Sequence, residues 1–245
     1  MKSRNWILQK DYIKDADTVV LCKWLKRDAA QSSGTIEFAE SASGFGRDFL
    51  PVGDIPFVES WLYGNYKRHV VPIEVPVVLR TSEFLGRLYE FMERDKLPSS
   101  TQVGKYFVKN VDRFGKFNSL SYEGIIPDPS TIPQGNYLLT EWVDIRSEFR
   151  LFVYCDEVLA VKNYQGSPLA YPDADKLMKM VDAYKADEKR PRAYCMDVAV
   201  ICKQDQTTDT IILGVQPFVS CALYGFEHPD IPDMLEKGVQ YYIIK

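Results

Sequence analysis

The chain has 245 residues, of which 46% are hydrophobic and 13% aromatic, enough to bury the core of one large domain or two closely packed lobes. A net charge of −4 and a pI near 5.4 argue against a broad nucleic-acid footprint or an adsorbed membrane surface. No stretch approaches the ~18 apolar residues of a membrane span, and the opening MKSRNWILQKDY has no apolar run suited to a signal peptide.

NWILQK (5–10) reads as a short strand and DTVVLCKWLKRDA (17–29) as a helix with basic residues on its exposed side. From Gly34 to Val77 the pattern is mixed, with short β-prone pieces such as FLPVGDIPFVESWL broken by glycine and proline. SEFLGRLYEFMERD (82–95) predicts a helix capped by Ser82, because Phe84, Leu85, Leu88, Phe91 and Met92 follow helical spacing. LPSS (97–100) then reads as a boundary, which divides the chain into an N-terminal lobe, 1–96, and a second region, 97–245.

The second half is richer in strands. KYFVK (105–109), NYLLTEWV (136–143), EFRLFVYC (148–155) and EVLAVKNY (157–164) follow in quick succession, and the short Asp156-Glu157 connection suits a hairpin. DADKLMKMVDAYKADEK (173–189) places Leu177, Val181 and Tyr184 on one helical face. AYCMDVAVIC and TIILGVQPFV are two strands joined by QDQTTD, and PDMLEKGVQYYIIK is a terminal helix. Antiparallel strands with a helix between hairpins predict an α+β fold.

Five cysteines without a C-x-x-C pair, together with two histidines, make a zinc site or a disulfide framework improbable. The cysteines read as buried small hydrophobes in a reducing cytoplasm. No Walker loop, no Lys-x-Asp-Gly nucleotidyltransferase motif and no G-x-S-x-G elbow is present. The charges are therefore the informative feature. Lys109 closes the KYFVK strand ahead of a Gly115-containing loop that carries Arg113 and Lys116, an arrangement that fits a phosphate site or, more simply on spacing alone, a solvated strand end and surface loop. LLTEWVDIRSEFRLFV (138–153) carries Glu141, Asp144, Arg146, Glu148 and Arg150 within strand-like apolar material. These line either a solvated edge with cross-strand pairs, Glu148 with Lys162 for example, or a charged ligand.

The ordered set FVK (107–109), TEWV (140–143), SEFRLFV (147–153), CMDVAV (195–200) and IILGVQ (211–216) resembles the ATP-grasp superfamily, and within it the RimK-related R2K clade. WILQK and VGDIPFVESWL also look like that clade's leader region. The resemblance implies a small N-terminal α/β lobe followed by two α+β lobes clasping ATP. It implies that Lys109 and Lys116 hold phosphates, that Glu141, Trp142 and Val143 face the adenine edge, and that Asp144 lies near the ribose. Glu148 and Arg150 match an acid-x-Arg element with Arg150 on the transferring group, and Lys162 falls near a second basic position. Asp197 matches a magnesium-binding acid. The last strand departs from the family's Glu-x-Asn and reads Gly214-Val215-Gln216, so that only Gln216 keeps an oxygen donor there. The implied activity is ATP-dependent carboxylate–amine ligation through an acylphosphate, with ATP and Mg2+ as cofactors and unidentified carboxylate and amine substrates, peptides or proteins among them. A degenerate nucleotide- or partner-binding module and an ATP-grasp kinase are the alternatives. Neither membrane nor nucleic acid is expected as a partner.

Overall fold

The computed structural model describes all residues except 1, 2, 11, 13–15, 72, 98–103, 113–119 and 125–131. The N-terminal part is a three-stranded parallel sheet of order β2-β1-β3, built from β1 (Asn5–Gln9), β2 (Ile36–Ala39) and β3 (Phe49–Val52). A parallel pair needs a crossover, and α1 (Ala16–Ser32) supplies it between β1 and β2. Trp6 and Leu8 pack with Leu21, Leu25 and Ala29 of that helix.

The region that reads as broken β pieces holds a second helix, α2 (Ile55–Tyr66). Asp54 accepts a hydrogen bond from Phe57 N–H at 2.8 Å, Pro56 sits in the first turn, and Phe57, Val58, Trp61 and Leu62 are buried at helical spacing. The cap signal was present in DIPFVESWL, but glycine and proline nearby masked it.

The helix expected over 82–95 is a single turn, α3 (Ser82–Leu85), capped by Thr81 rather than Ser82. Gly86 ends it in the left-handed conformation at φ +59, and a Cβ there would lie 2.5 Å from Ile211 Cγ2. The chain then extends as β4 (Tyr89–Glu93), which pairs antiparallel with β7 (Asn136–Glu141). β5 (Gly104–Asn110) and β6 (Leu120–Gly124) complete a four-stranded antiparallel sheet of order β4-β7-β5-β6. β4 thus joins this sheet although it precedes the 96/97 boundary read from the sequence.

The second four-stranded antiparallel sheet has the order β11-β10-β8-β9, from β8 (Asp144–Tyr154), β9 (Glu157–Gly166), β10 (Ala193–Cys202) and β11 (Thr208–Pro217). The β8–β9 hairpin turns on Cys155 and Asp156, at φ +48 and +69, one residue earlier than Asp156-Glu157. Phe149, Leu151, Val153, Met196 and Val198 bury one face of this sheet against Leu177, Met180, Val181 and Tyr184 of α4 (Ala174–Tyr184). On the other face, Phe152 and Cys195 join the core of the N-terminal sheet, together with Met234 and Leu235 of α5 (Ile231–Ile244). Farther along, Ala199, Ile201 and Ile211 are buried beneath Val143 and Leu213, and Asp197, Gly214 and Gln216 border a cleft shared with β5 and β7. All five cysteines are free, but Cys195 and Cys221 alone are buried and Cys155 is exposed in the hairpin turn, so the uniform reading of buried cysteines does not hold. No helix among the described residues is long and apolar enough to cross a membrane.

Candidate nucleotide cleft

The register of the β8–β11 sheet sets four positions in a row across the sheet. Lys162 on β9 stands opposite Arg150 on β8, Arg150 opposite Asp197 on β10, and Asp197 opposite Gly214 on β11. Beside this row, Leu213 is bulged out of the β10–β11 ladder, a local irregularity that re-aims neighbouring side chains. The Arg150 guanidinium is buried, and its Nε and Nη2 donate to the two Asp197 carboxylate oxygens at 2.7 and 2.8 Å. Its Nη1 donates to Ala222 O at 3.2 Å, and the rings of Tyr224 and Tyr164 lie 5.2 and 5.8 Å from its carbon. Burial alone would lower the Arg150 pKa, but the hydrogen bonds to Asp197 and the nearby negative charge raise it, so the cation is secure. Cross-strand pairing is therefore real in this sheet, between Arg150 and Asp197. Glu148 instead accepts a hydrogen bond from Tyr164 Oη at 2.6 Å. Burial, the Asp197 charge and that bond all push the Tyr164 pKa up, which keeps the phenol protonated.

Facing this row across a cleft of about 620 Å3 are Phe107 and Lys109 of β5 and Leu138, Thr140 and Glu141 of β7. Trp142, Val143, Glu148, Asp197 and Gln216 also line it. The volume suits a small organic ligand, and the apolar and polar walls suit one with an aromatic part and an anionic part. Glu141 N–H is donated to Leu88 O at 3.2 Å and Trp142 N–H to Lys105 O at 2.9 Å. The segment that carries TEWV thus lines the cleft, but those two amides already have partners. Asp144 is not among the lining residues and pairs with Arg146 at 3.2 Å, both half exposed. Neither Arg150 nor Lys162, its neighbour in the row, lines the cleft, which Arg150 reaches only through Asp197, and Lys116 and Arg113 lie outside the described residues.

Sequence reasoning missed Glu74, Arg87, Thr140 and Tyr164, all of which line the cleft. Arg87 donates to Leu85 O and Ile212 O at 3.2 and 3.1 Å, and burial holds its pKa below the ordinary arginine value. Glu74 lies in the region of mixed pattern, at φ +58, and nothing in its neighbours' periodicity marks it. It reaches Lys109, whose Nζ is 2.8 Å from Oε1 and 3.0 Å from Oε2. Lys109 therefore lines the cleft, and its ammonium already holds the Glu74 carboxylate.

The oxygen donors on hand, the Asp197 and Glu74 carboxylates and the Gln216 amide, are hard ligands of the kind magnesium takes. No group of three or more His, Cys, Asp or Glu that would hold a metal occurs among the described residues. The donor set fits a cation that arrives with phosphate oxygens and needs one or two carboxylates, and not a site made of protein alone.

No curated sequence relative matches the chain. Solved structures do. D-alanine–D-alanine ligase from Bacillus anthracis superposes with a TM-score of 0.54 at 10% identity, covering 98% of this chain and 98% of the ligase. N5-carboxyaminoimidazole synthetase from Staphylococcus aureus gives 0.56 at 8% identity, over 97% of this chain and 78% of that one. The ATP-grasp ligase PsnB, in complex with a minimal precursor, gives 0.52 at 11% identity, over 98% and 100%. At such identities the likeness is one of fold. The family assignment comes from the sequence: the model described as "ATP-grasp domain, R2K clade family 2" matches residues 84–234, well over half of the chain and the whole of the β8–β11 sheet. The chain belongs to the R2K clade of the ATP-grasp superfamily.

Proposed function

We propose that this protein is an ADP-forming carboxylate–amine ligase, with ATP bound between the two four-stranded sheets. ATP-grasp enzymes generally join a carboxylate to an amine through an acylphosphate. The observation that carries the reading here is the convergence, in one cleft, of Lys109 from β5, of Asp197 from β10, which the buried Arg150 of β8 grips from behind, and of the apolar side chains of Phe107, Leu138, Trp142 and Val143. In this reading Lys109 and Lys116 bind phosphate oxygens, while Phe107, Leu138, Trp142 and Val143 enclose the base. Asp144 is the candidate for the ribose hydroxyls, although its pairing with Arg146 requires that side chain to turn. Arg150, locked by Asp197 and flanked by two tyrosines, presents fixed positive charge toward the transferring phosphoryl group, and Lys162 adds charge from the next strand. Phosphoryl transfer of this kind depends on positioning and charge stabilisation, and needs no protein nucleophile. Glu148 is held by Tyr164 and keeps an oxygen for a polar part of the ligand. Asp197 and Gln216 are the family-matched candidates to hold magnesium, which would neutralise phosphate charge when bound. ATP accompanies the Bacillus anthracis ligase in one structure, and Mg and ADP accompany PsnB with a phosphomimetic variant of its precursor in another. A peptide acceptor and a cytoplasmic setting belong to the same proposal, the latter supported by five free cysteines. The pairing of β4 with β7 supports a nucleotide-binding region that starts ahead of Tyr89 and follows an N-terminal lobe.

A screen of carboxylate and amine pairs for acceptor-stimulated ADP release, with mass spectrometry of the products, tests this reading. Formation of an amide with one ADP per product is the expected result. A second reading, a nucleotide-binding module without ligase activity, is favoured by Gly214 and by the engagement of both Asp197 oxygens with Arg150. Tight ATP binding without ADP formation for any acceptor pair would select it. A stable phosphorylated product would select a kinase instead.

A further inference from the structure

We propose that Glu74 supplies the carboxylate that β11 lacks at Gly214, as a second ligand for the divalent cation that accompanies ATP. The proposal rests on the nucleotide reading above and deepens it.

The position is the first argument. Gly214 lies directly opposite Asp197, so a side chain there would share the face of Asp197. No side chain fills that place, and what passes beside it is the backbone of Glu74. Val215 N–H is donated to Glu74 O at 2.7 Å, an isolated bridge that ties residue 74 to β11. A Cβ built on Gly214 would meet Glu74 O at 3.9 Å, an ordinary contact. Glycine is therefore not demanded by the backbone at 214, and the residue whose backbone passes beside it, Glu74, lines the same cleft as Asp197 and carries a carboxylate.

The chemistry is the second argument. Glu74 is 7% exposed, and a carboxylate so buried needs a cation. Its cation is the Lys109 ammonium, which contacts both oxygens, yet only Oε2 accepts a hydrogen bond of good geometry; buried Oε1 has none. A flexible, one-third exposed ammonium is thus the stand-in for a positive charge at the Glu74 carboxylate. Phosphates entering the cleft compete for Lys109, and each contact they take leaves Glu74 short of positive charge. A cation brought in by those phosphates restores it. Without one, the Glu74 carboxylate opposes the phosphates. The backbone of Glu74 is left-handed, at φ +58, which is unusual for a residue with a Cβ.

Calorimetric titration of ATP at a series of Mg2+ concentrations separates this role from others. In Glu74→Gln, the Mg2+ concentration that half-saturates the gain in ATP affinity should rise by about tenfold or more. Mg2+-free ATP should bind at least as well as in the parent. Adding Gly214→Glu to Glu74→Gln should bring the Mg2+ requirement back toward that of the parent. Glu74→Asp keeps a partner for Lys109 but draws the carboxylate back by one methylene, and should shift the requirement in the same direction if Glu74→Gln fails to fold. Mn2+ electron paramagnetic resonance of the ATP complexes should report weaker Mn2+ retention in the same variants. An unmoved Mg2+ requirement overturns the proposal. So does an equal fall in ATP affinity with and without Mg2+, which would mean that Glu74 only orients Lys109. A folded parent that binds no ATP under any condition overturns the nucleotide reading itself, together with this inference.

Discussion

Arg150 and Lys109 are the two cations whose surroundings say most about the chemistry, and they are held differently. Lysine at 150 keeps the charge but cannot match two carboxylate oxygens with a planar fork. Arg150→Lys should lower turnover by about a hundredfold, with little change in ATP affinity, if the group meets the transferring phosphoryl in the transition state. Single-turnover kinetics beside calorimetry checks this, and normal turnover with only a lower melting temperature would leave Arg150 a structural partner of Asp197. Lys109 is less buried and its contacts are those of a point charge. Lys109→Ala should weaken ATP binding by about 1.5–3 kcal/mol, the worth of a charge-assisted hydrogen bond. Unchanged affinity in a folded variant would remove the phosphate role. The sequence placed both residues on strands by alternation alone. Their partners, Asp197 and Glu74, were not legible as partners, because 47 and 35 residues separate them along the chain.

Among the elements, the segment 82–95 shows how one position redirects a chain. Its apolar spacing fits a helix, yet Gly86 turns it and β7 offers an edge that β4 can extend. Gly86→Ala should destabilise the protein by about 2 kcal/mol, from a left-handed backbone with a Cβ and from the contact with Ile211. Urea denaturation monitors this, and an unmoved midpoint would mean that the turn is not confined as it stands. Asp209 of β11 is held by charge from two sides: Lys176 of α4 and Lys203, just after β10, lie 2.6 and 2.9 Å from its oxygens. Burial pushes the Asp209 pKa up, but hydrogen bonds from the two lysines outweigh it and hold the value below the usual 3.8. A depressed carboxylate pKa contributes stability in full above the unfolded value, and that contribution is lost as the pH falls through the folded one. Asp209→Asn should therefore cost about 1 kcal/mol near neutrality. The difference from the parent should vanish well below pH 3.8, as equilibrium unfolding at several pH values will reveal.

For the whole molecule, the cleft is a seam between two antiparallel sheets, and the N-terminal sheet is bound into one of them through the shared core around Trp6, Phe152 and Met234. A ligand that fills the seam binds the folded state alone. Mg2+–ATP at about 100 times its Kd should add about 2.7 kcal/mol to stability. For a chain of this size that is a rise in Tm of roughly 5–10 °C. Differential scanning fluorimetry with ATP, GTP and free phosphate reads this, and no rise with any nucleotide would speak against the seam as a nucleotide site.

What the sequence by itself determined were the elements whose own periodicity reports a buried face: β1, α1, β5, the strands from β7 to β11, α4 and α5. It also determined the strand positions of Lys109, Glu148, Arg150 and Asp197, since a period of two decides the face each side chain takes. The ordered motifs then sufficed for the superfamily. Tertiary structure decided the rest, because an apolar or charged face does not say what will cover it. It made a strand of residues 89–93 and engaged the amides of Glu141 and Trp142 with their neighbours. It joined Arg150 to Asp197, and it carried Glu74 from an unpatterned stretch to the side of Gly214 through one backbone hydrogen bond to Val215. That contact depends on long-range chain crossing, and no local pattern encodes it.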